Sequence, residues 1–196
     1  MKTFRAFGPT IGKSKLSKKI IKNINEYVDG TTISERNDYS SKLASQIKDE
    51  VKLPSAFIKK NISKELIKNI KNYLLKSDVK QIKQIKIINV WIVKQLKNEY
   101  NPIHYHEGQL SGVGYLKIPK NMNQNKMVKN KKIMTNGTID FINGQKNFLS
   151  ESIYNLNPKL GDLVIFPNYL MHTAYPFNVD GERRSFSFNV KITFKK

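Results

Sequence analysis

The chain contains three histidines, and all of them fall in two short stretches, His104-Tyr105-His106 and Leu170-Met171-His172. An arginine pair, Arg183-Arg184, follows eleven residues after the last histidine. Imidazole is a good ligand for first-row transition metals. Residues two apart on an extended segment project to one side, so His104 and His106 can reach one ion together. A distant His172 can close one face of an octahedron, and such a half-open shell leaves positions for a substrate or for oxygen. Each motif alone has an ordinary alternative: a surface pair beside a turn, or a histidine bonded to a carbonyl after a strand. The surrounding frame favours chemistry. Gly161-Asp162-Leu163-Val164-Ile165-Phe166-Pro167 reads as a turn feeding a short buried strand that delivers His172.

The last strand sorts the two arginines. From Ser185 to Phe194 the pattern alternates, with Phe186, Phe188, Val190, Ile192 and Phe194 on one face. Arg183, Ser185, Ser187 and Asn189 share the other. A polar face headed by arginine can be solvated, or it can line a barrel mouth. There an arginine grips a carboxylate bidentately and a serine adds one hydrogen bond. Arg184 points the other way in this phase, which selects Arg183.

These residues need a scaffold, and 196 residues suffice for one substantial core. Residues 1–84 are predicted as a mainly helical support and 85–196 as the β-rich core of one integrated domain. Leu16, Ile20, Ile24, Tyr27 and Val28 form a helical stripe, with Ser14 or Ser17 as N-cap and Gly30 as stop. Leu66, Ile67, Ile70 and Leu74 form a second stripe behind the cap candidate Ser63, and a weaker helix is expected from Ser41 to Val51. Pro9 and Pro54 mark loops. Nothing in this half suggests a reaction centre. Strands are expected at Ile85–Val93, Leu110–Ile118, Leu163–Phe166 and Ser185–Phe194, with Asp180-Gly181 as a hairpin turn before the last. The Lys/Asn run from Lys120 to Lys132 reads as a mobile loop, and Trp91 as core. Short strands with turn punctuation indicate a sandwich or jelly roll.

Composition removes several classes of function. There is no cysteine, so disulfides, thiolate metal sites and cysteine nucleophiles are excluded. No signal peptide or membrane span is read, and a cytoplasmic protein is expected. The formal charge of +20 points toward nucleic acid, yet only four of the 35 basic residues are arginine. Arginine is the residue suited to bidentate phosphate and guanine recognition. Lysine, asparagine and isoleucine share AT-rich codons, so non-specific binding to polyanions is the expectation.

The stretch His104-Tyr105-His106-Glu107-Gly108-Gln109-Leu110-Ser111-Gly112-Val113-Gly114-Tyr115-Leu116 and two later ones resemble a known family. The later ones are Phe166-Pro167-Asn168-Tyr169-Leu170-Met171-His172 and Glu182-Arg183-Arg184-Ser185-Phe186-Ser187-Phe188-Asn189. Together they resemble a small group of the 2-oxoglutarate/Fe(II)-dependent dioxygenases, from about Val90 to Asn189. The resemblance implies a mixed α/β fold, a double-stranded β-helix (jelly roll) with N-terminal buttressing helices. It implies Fe(II), O2 and 2-oxoglutarate as co-substrate, and a hydroxylase releasing succinate and CO2 from an unidentified substrate. His104 and His172 then take the two ligand histidines, His106 the third ligand, and Arg183 with Ser185 the distal carboxylate. Ser111, Tyr115 and Asn189 are lesser candidates for lining the co-substrate pocket. His106 stands where most of the wider superfamily carries Asp or Glu, which leaves the site one negative charge poorer. A cupin-like three-histidine enzyme without 2-oxoglutarate, or a non-catalytic binding protein, remains the alternative.

Overall fold

Alternation in the last strand organises the molecule. In the computed structural model, which describes residues 8–31, 37–79, 81–122 and 135–195, strand β10 (Arg183–Phe194) is central. It runs antiparallel between β3 (Ile82–Gln95) and β5 (Leu110–Lys117). Beyond β5 lie β8 (Asp162–Pro167) and β1 (Gly12–Lys15), and β2 (Asp49–Lys52) covers the far edge of β3. A second sheet holds β4 (Asn101–His104), β9 (Met171–Ala174), β6 (Ile139–Ile142) and β7 (Ile153–Leu156), in that order. From β3 onward the chain passes back and forth between the two sheets, the winding of a jelly roll. The sheets face each other without closing into a barrel, so the expected barrel mouth is instead a cavity between two layers.

The outer face of the larger sheet is apolar and carries the helices. Helix α1 (Lys18–Gly30) buries Ile20, Ile24 and Val28, and the Ser17 hydroxyl caps it by accepting from the Ile20 amide at 3.3 Å. Ser14, the other cap candidate, lies in β1 and donates to Asn69. Two further helices, α2 (Ser55–Asn61) and α3 (Ser63–Lys76), follow Pro54. Ser63 is the first residue of α3 and not its cap, because its hydroxyl donates back to the Lys59 carbonyl. The helices pack Ile24, Leu66 and Ile70 against Val90, Ile92, Phe186 and Phe188. Gly112 and Gly114 of β5 make room for the two phenylalanines: a Cβ at either position would sit 2.3 Å from a ring carbon. Among the described residues no helix is long and apolar enough to cross a membrane.

Three expectations are corrected. Residues 41–51 do not form a helix; Ser40–Lys42 makes one 3₁₀ turn and Asp49–Lys52 becomes β2. The free edge of β3 captures this segment and outweighs a weak helical stripe. The N-terminal half is also not purely helical before α1: β1 pairs with β8, and there Lys13 and Lys15 close on the buried Asp162 at 2.9 and 2.6 Å. Asp180-Gly181 turns the chain, but it joins no hairpin: β9 and β10 lie in different sheets. It is a corner at which Gly181 takes φ +122°. Of the Lys/Asn run at 120–132, the part from 123 lies outside the described residues.

Candidate metal centre and ligand cavity

The two histidine motifs meet because β4 and β9 are neighbours. His104 and His172 are direct partners in the ladder, with ring centroids 4.3 Å apart. His106 follows the end of β4, and the turn after β8 fixes its backbone. Its amide donates to the Asn168 carbonyl at 3.1 Å, and the Asn168 side chain returns a bond to the His106 carbonyl at 3.0 Å. One ring nitrogen from each histidine lies within 4.8 Å of the others.

Backbone carbonyls settle which nitrogens are free. His104 Nδ1 lies 2.7 Å from the Pro102 carbonyl and His172 Nδ1 lies 2.9 Å from the Leu170 carbonyl. A carbonyl only accepts, so both Nδ1 atoms carry the proton and both Nε2 lone pairs face inward. His106 Nε2 stands 3.1 Å from His172 Nε2. Two nitrogens at about 2.1 Å from one ion and at right angles would be roughly 3.0 Å apart, so this pair is spaced as adjacent ligands. Burial holds the rings neutral. It pulls His106 and His172 down to about 3, assisted by the neighbouring imidazoles, and lowers His104 as well. The burial is provided by Phe166 and Phe141 against His172, and by Trp91 against His106, at centroid distances of 4.8, 5.8 and 5.7 Å. Trp91, expected as core, is buried but also lines the cavity. A neutral imidazole binds a metal without first losing a proton.

The inner face of the larger sheet supplies the rest of the cavity. Glu50, Val93, Ser185 and Tyr115 form one register row across β2, β3, β10 and β5; Gln95 and Arg183 form the adjoining row. Arg183 is 4% exposed, and its Nη1 donates to the Gly137 carbonyl at 2.7 Å. Its Nη2 donates to Gln95 Oε1. Both acceptors are neutral. Among the described residues no carboxylate pairs with Arg183, whereas Arg184 meets Glu182 and Asp29 at 2.6 and 2.7 Å on the helix side. Burial lowers the Arg183 guanidinium, with the Tyr115 phenol acting in the other direction. The Tyr115 hydroxyl is buried with no hydrogen-bond partner, and burial raises it.

The cavity is therefore asymmetric. Three neutral nitrogen donors converge on its smaller-sheet wall, while the opposite wall holds a buried cation and a phenol that have, among the described residues, no counter-ion and no hydrogen-bond partner respectively. His104, His106, His172, Arg183, Ser185 and Tyr115 all line it. Ser111 and Asn189 lie on the same sheet face but hydrogen-bond to each other at 2.9 Å, and neither is among the residues lining the cavity. Sequence reasoning misses two contributors. Gln95 lies two residues beyond the predicted end of β3, and its side chain orients Arg183. Glu50, with Leu43, Ala44 and Ile47, lines the cavity from a half of the chain that carries no recognisable motif.

The geometry agrees with what the chain is similar to. Residues 89–189, just over half of the chain, match a family model described as "Putative 2OG-Fe(II) oxygenase". No curated protein sequence matches. Among solved structures, the viral collagen prolyl hydroxylase of Paramecium bursaria Chlorella virus-1, in complex with 2-oxoglutarate, aligns over 92% of this chain and 94% of its own. Its identity is 14% and its TM-score 0.57. A Pseudomonas putida prolyl-4-hydroxylase aligns over 95% and 93% at 11% identity and TM-score 0.56. Iron-bound HygX of Streptomyces hygroscopicus aligns over 94% and 82% at 11% identity and TM-score 0.53. Identities this low speak for the jelly-roll fold alone. On the family match the chain belongs to the 2-oxoglutarate/Fe(II) oxygenases and is an oxygenase of that family.

Proposed function

We propose that this chain is an Fe(II)- and 2-oxoglutarate-dependent dioxygenase that hydroxylates its substrate, with His104, His106 and His172 as the metal ligands. Arg183, Ser185 and Tyr115 receive the distal carboxylate of 2-oxoglutarate. One observation carries the reading: the buried Arg183, which pairs with no carboxylate among the described residues, shares a cavity with three imidazoles, two of which have their inward nitrogens fixed as unprotonated. A buried charge without an opposite charge beside it is costly, and a small dicarboxylate offsets that cost while leaving its other end for the metal.

The donor set suits Fe(II), since imidazole is a good ligand for it and three donors leave positions open. When bound, iron and 2-oxoglutarate supply the oxidative chemistry, which consumes O2 and yields succinate, CO2 and a hydroxylated product. The protein's part is orientation. Pro102 and Leu170 carbonyls lock two ligand tautomers, and Gly137 with Gln95 aims the guanidinium. Tyr115 has its hydroxyl proton free to donate. The cavity is partly open to solvent, which gives a substrate a way in beside the co-substrate. Ser111 and Asn189, satisfied by each other, tie β5 to β10 beneath the site.

Adding Fe(II) and then 2-oxoglutarate without oxygen tests the reading. The expected result is the weak visible charge-transfer band of a chelated keto acid, followed by succinate when air is admitted. Metal uptake with no band and no succinate would overturn it in favour of a cupin-like enzyme that makes no use of the keto acid.

A further inference from the structure

Glu50 has no part in the chemistry proposed above, yet it lines the same cavity. It is 1% exposed, the most deeply buried acid on that wall. Its Oε2 accepts from the Ser45 hydroxyl, and its Oε1 has no hydrogen-bond partner. The backbone around it is well fixed: the Tyr39 amide donates to the Glu50 carbonyl at 2.9 Å, and the Gln46 amide donates to the Tyr100 carbonyl at 2.9 Å. A carboxyl group taken out of water and offered only one bond is costly unless a partner arrives.

The surroundings say which partner. In a chain of formal charge +20, the charged groups that act most on Glu50 among the described residues are two acids, Asp38 and Glu99. Burial, assisted by those acids, raises its carboxyl to about 7. This corner thus rewards an incoming cation, in contrast to the wall that holds Arg183. The sides are apolar, built by Leu43, Ile47, Trp91 and Val93. Across the sheet Glu50 stands two strands from Ser185, on the order of 10 Å. That separation lets a substrate group occupy the corner while the co-substrate occupies the row at Arg183.

We propose that Glu50 is a substrate-specificity residue, its free oxygen receiving a protonated amine carried on an apolar stem that lies against Ile47, Val93 and Trp91. Calling that ligand the substrate rests on the dioxygenase reading; the binding itself does not. Trp91 is the chain's single tryptophan, so its emission reports on this corner.

The test titrates n-pentylammonium and 1-pentanol into the metal-free protein at neutral pH and follows Trp91 fluorescence. A charge-assisted hydrogen bond favours the ammonium by roughly ten-fold or more in half-saturating concentration, and Glu50→Gln should collapse that preference. Equal potency of the two probes on the unmodified protein, or a preference that survives Glu50→Gln, overturns the proposal. If Glu50→Gln does not fold, as circular dichroism would show, the comparison on the unmodified protein decides alone. With neither iron nor 2-oxoglutarate present, this result stands apart from the charge-transfer experiment, and either reading can fail without the other.

Discussion

The two faces of the six-stranded sheet are built on opposite rules. On the helix side the large groups are satisfied: Phe186, Phe188, Val90 and Ile92 are packed, and Arg184 is neutralised by Glu182 and Asp29. On the cavity side, among the described residues, Arg183 lacks an acid, the Tyr115 hydroxyl and Glu50 Oε1 lack partners, and the histidines stand neutral around a shared point. The chain changes from one rule to the other between adjacent residues, Arg183 and Arg184. Stability is concentrated on the first face. Unsatisfied polar groups on the second leave part of the folded state's free energy to be recovered when ligands bind. Substitutions on the two faces should therefore separate into losses of stability and losses of binding.

The largest effect is expected from Phe188→Ala. The ring is fully buried against Gly112, so truncation leaves a cavity and should cost about 3–5 kcal/mol. Denaturant unfolding measures it, and 2-oxoglutarate affinity of the folded fraction should stay within about two-fold. A Phe188→Ala protein that keeps its stability but loses the co-substrate would dissolve the division between the faces.

The arginine pair sharpens the comparison at one backbone step. Arg183→Ala removes a charged, forked contact worth about 1.5–3 kcal/mol, a roughly 10- to 100-fold loss of 2-oxoglutarate affinity. Arg184→Ala should change that affinity by less than about two-fold while lowering the melting temperature, because α1 loses its tie to β10 through Asn25 and Asp29. Calorimetric titration with Mn(II) in place of iron measures both variants. Equal losses from the two arginines would show that the face assignment of β10 is irrelevant to binding.

That face assignment is legible in the order of the residues, because a long strand between two layers writes its period plainly: Phe186, Phe188 and Val190 against Arg183, Ser185 and Ser187. The histidine cluster is legible for a different reason, since a residue type used only three times and at ligand spacing stands out. What escapes has a common cause. Strands β4, β6, β7 and β9 are four residues each, too short for a period to emerge. Asp49-Glu50-Val51-Lys52 carries one apolar residue, so its strand character comes from pairing with β3. Glu50 and Gln95 are ordinary polar letters whose burial is decided by partners far along the chain. The corner at Asp180-Gly181 carries the letters of a hairpin, and only the sheet order shows that its strands part.

The smallest predicted effect is also the most diagnostic of the cavity face. Tyr115→Phe deletes one oxygen and leaves the packed ring, which is 1% exposed, in place. Without ligand the hydroxyl has no partner, so its removal relieves a desolvated polar group and should leave stability unchanged or slightly higher. With 2-oxoglutarate bound, the same hydroxyl is proposed to donate to the distal carboxylate. Its loss should then weaken binding by about 0.5–1.5 kcal/mol, roughly three- to ten-fold. A tyrosine with a purely packing role would show neither change, and one that served the folded state would lose stability. Opposite signs in the two measurements, a neutral or higher melting temperature with a weaker complex, are what distinguish a group held ready for a ligand. A drop in stability with unchanged affinity would move Tyr115 to the other side of the comparison and leave Arg183 and Ser185 to hold the carboxylate.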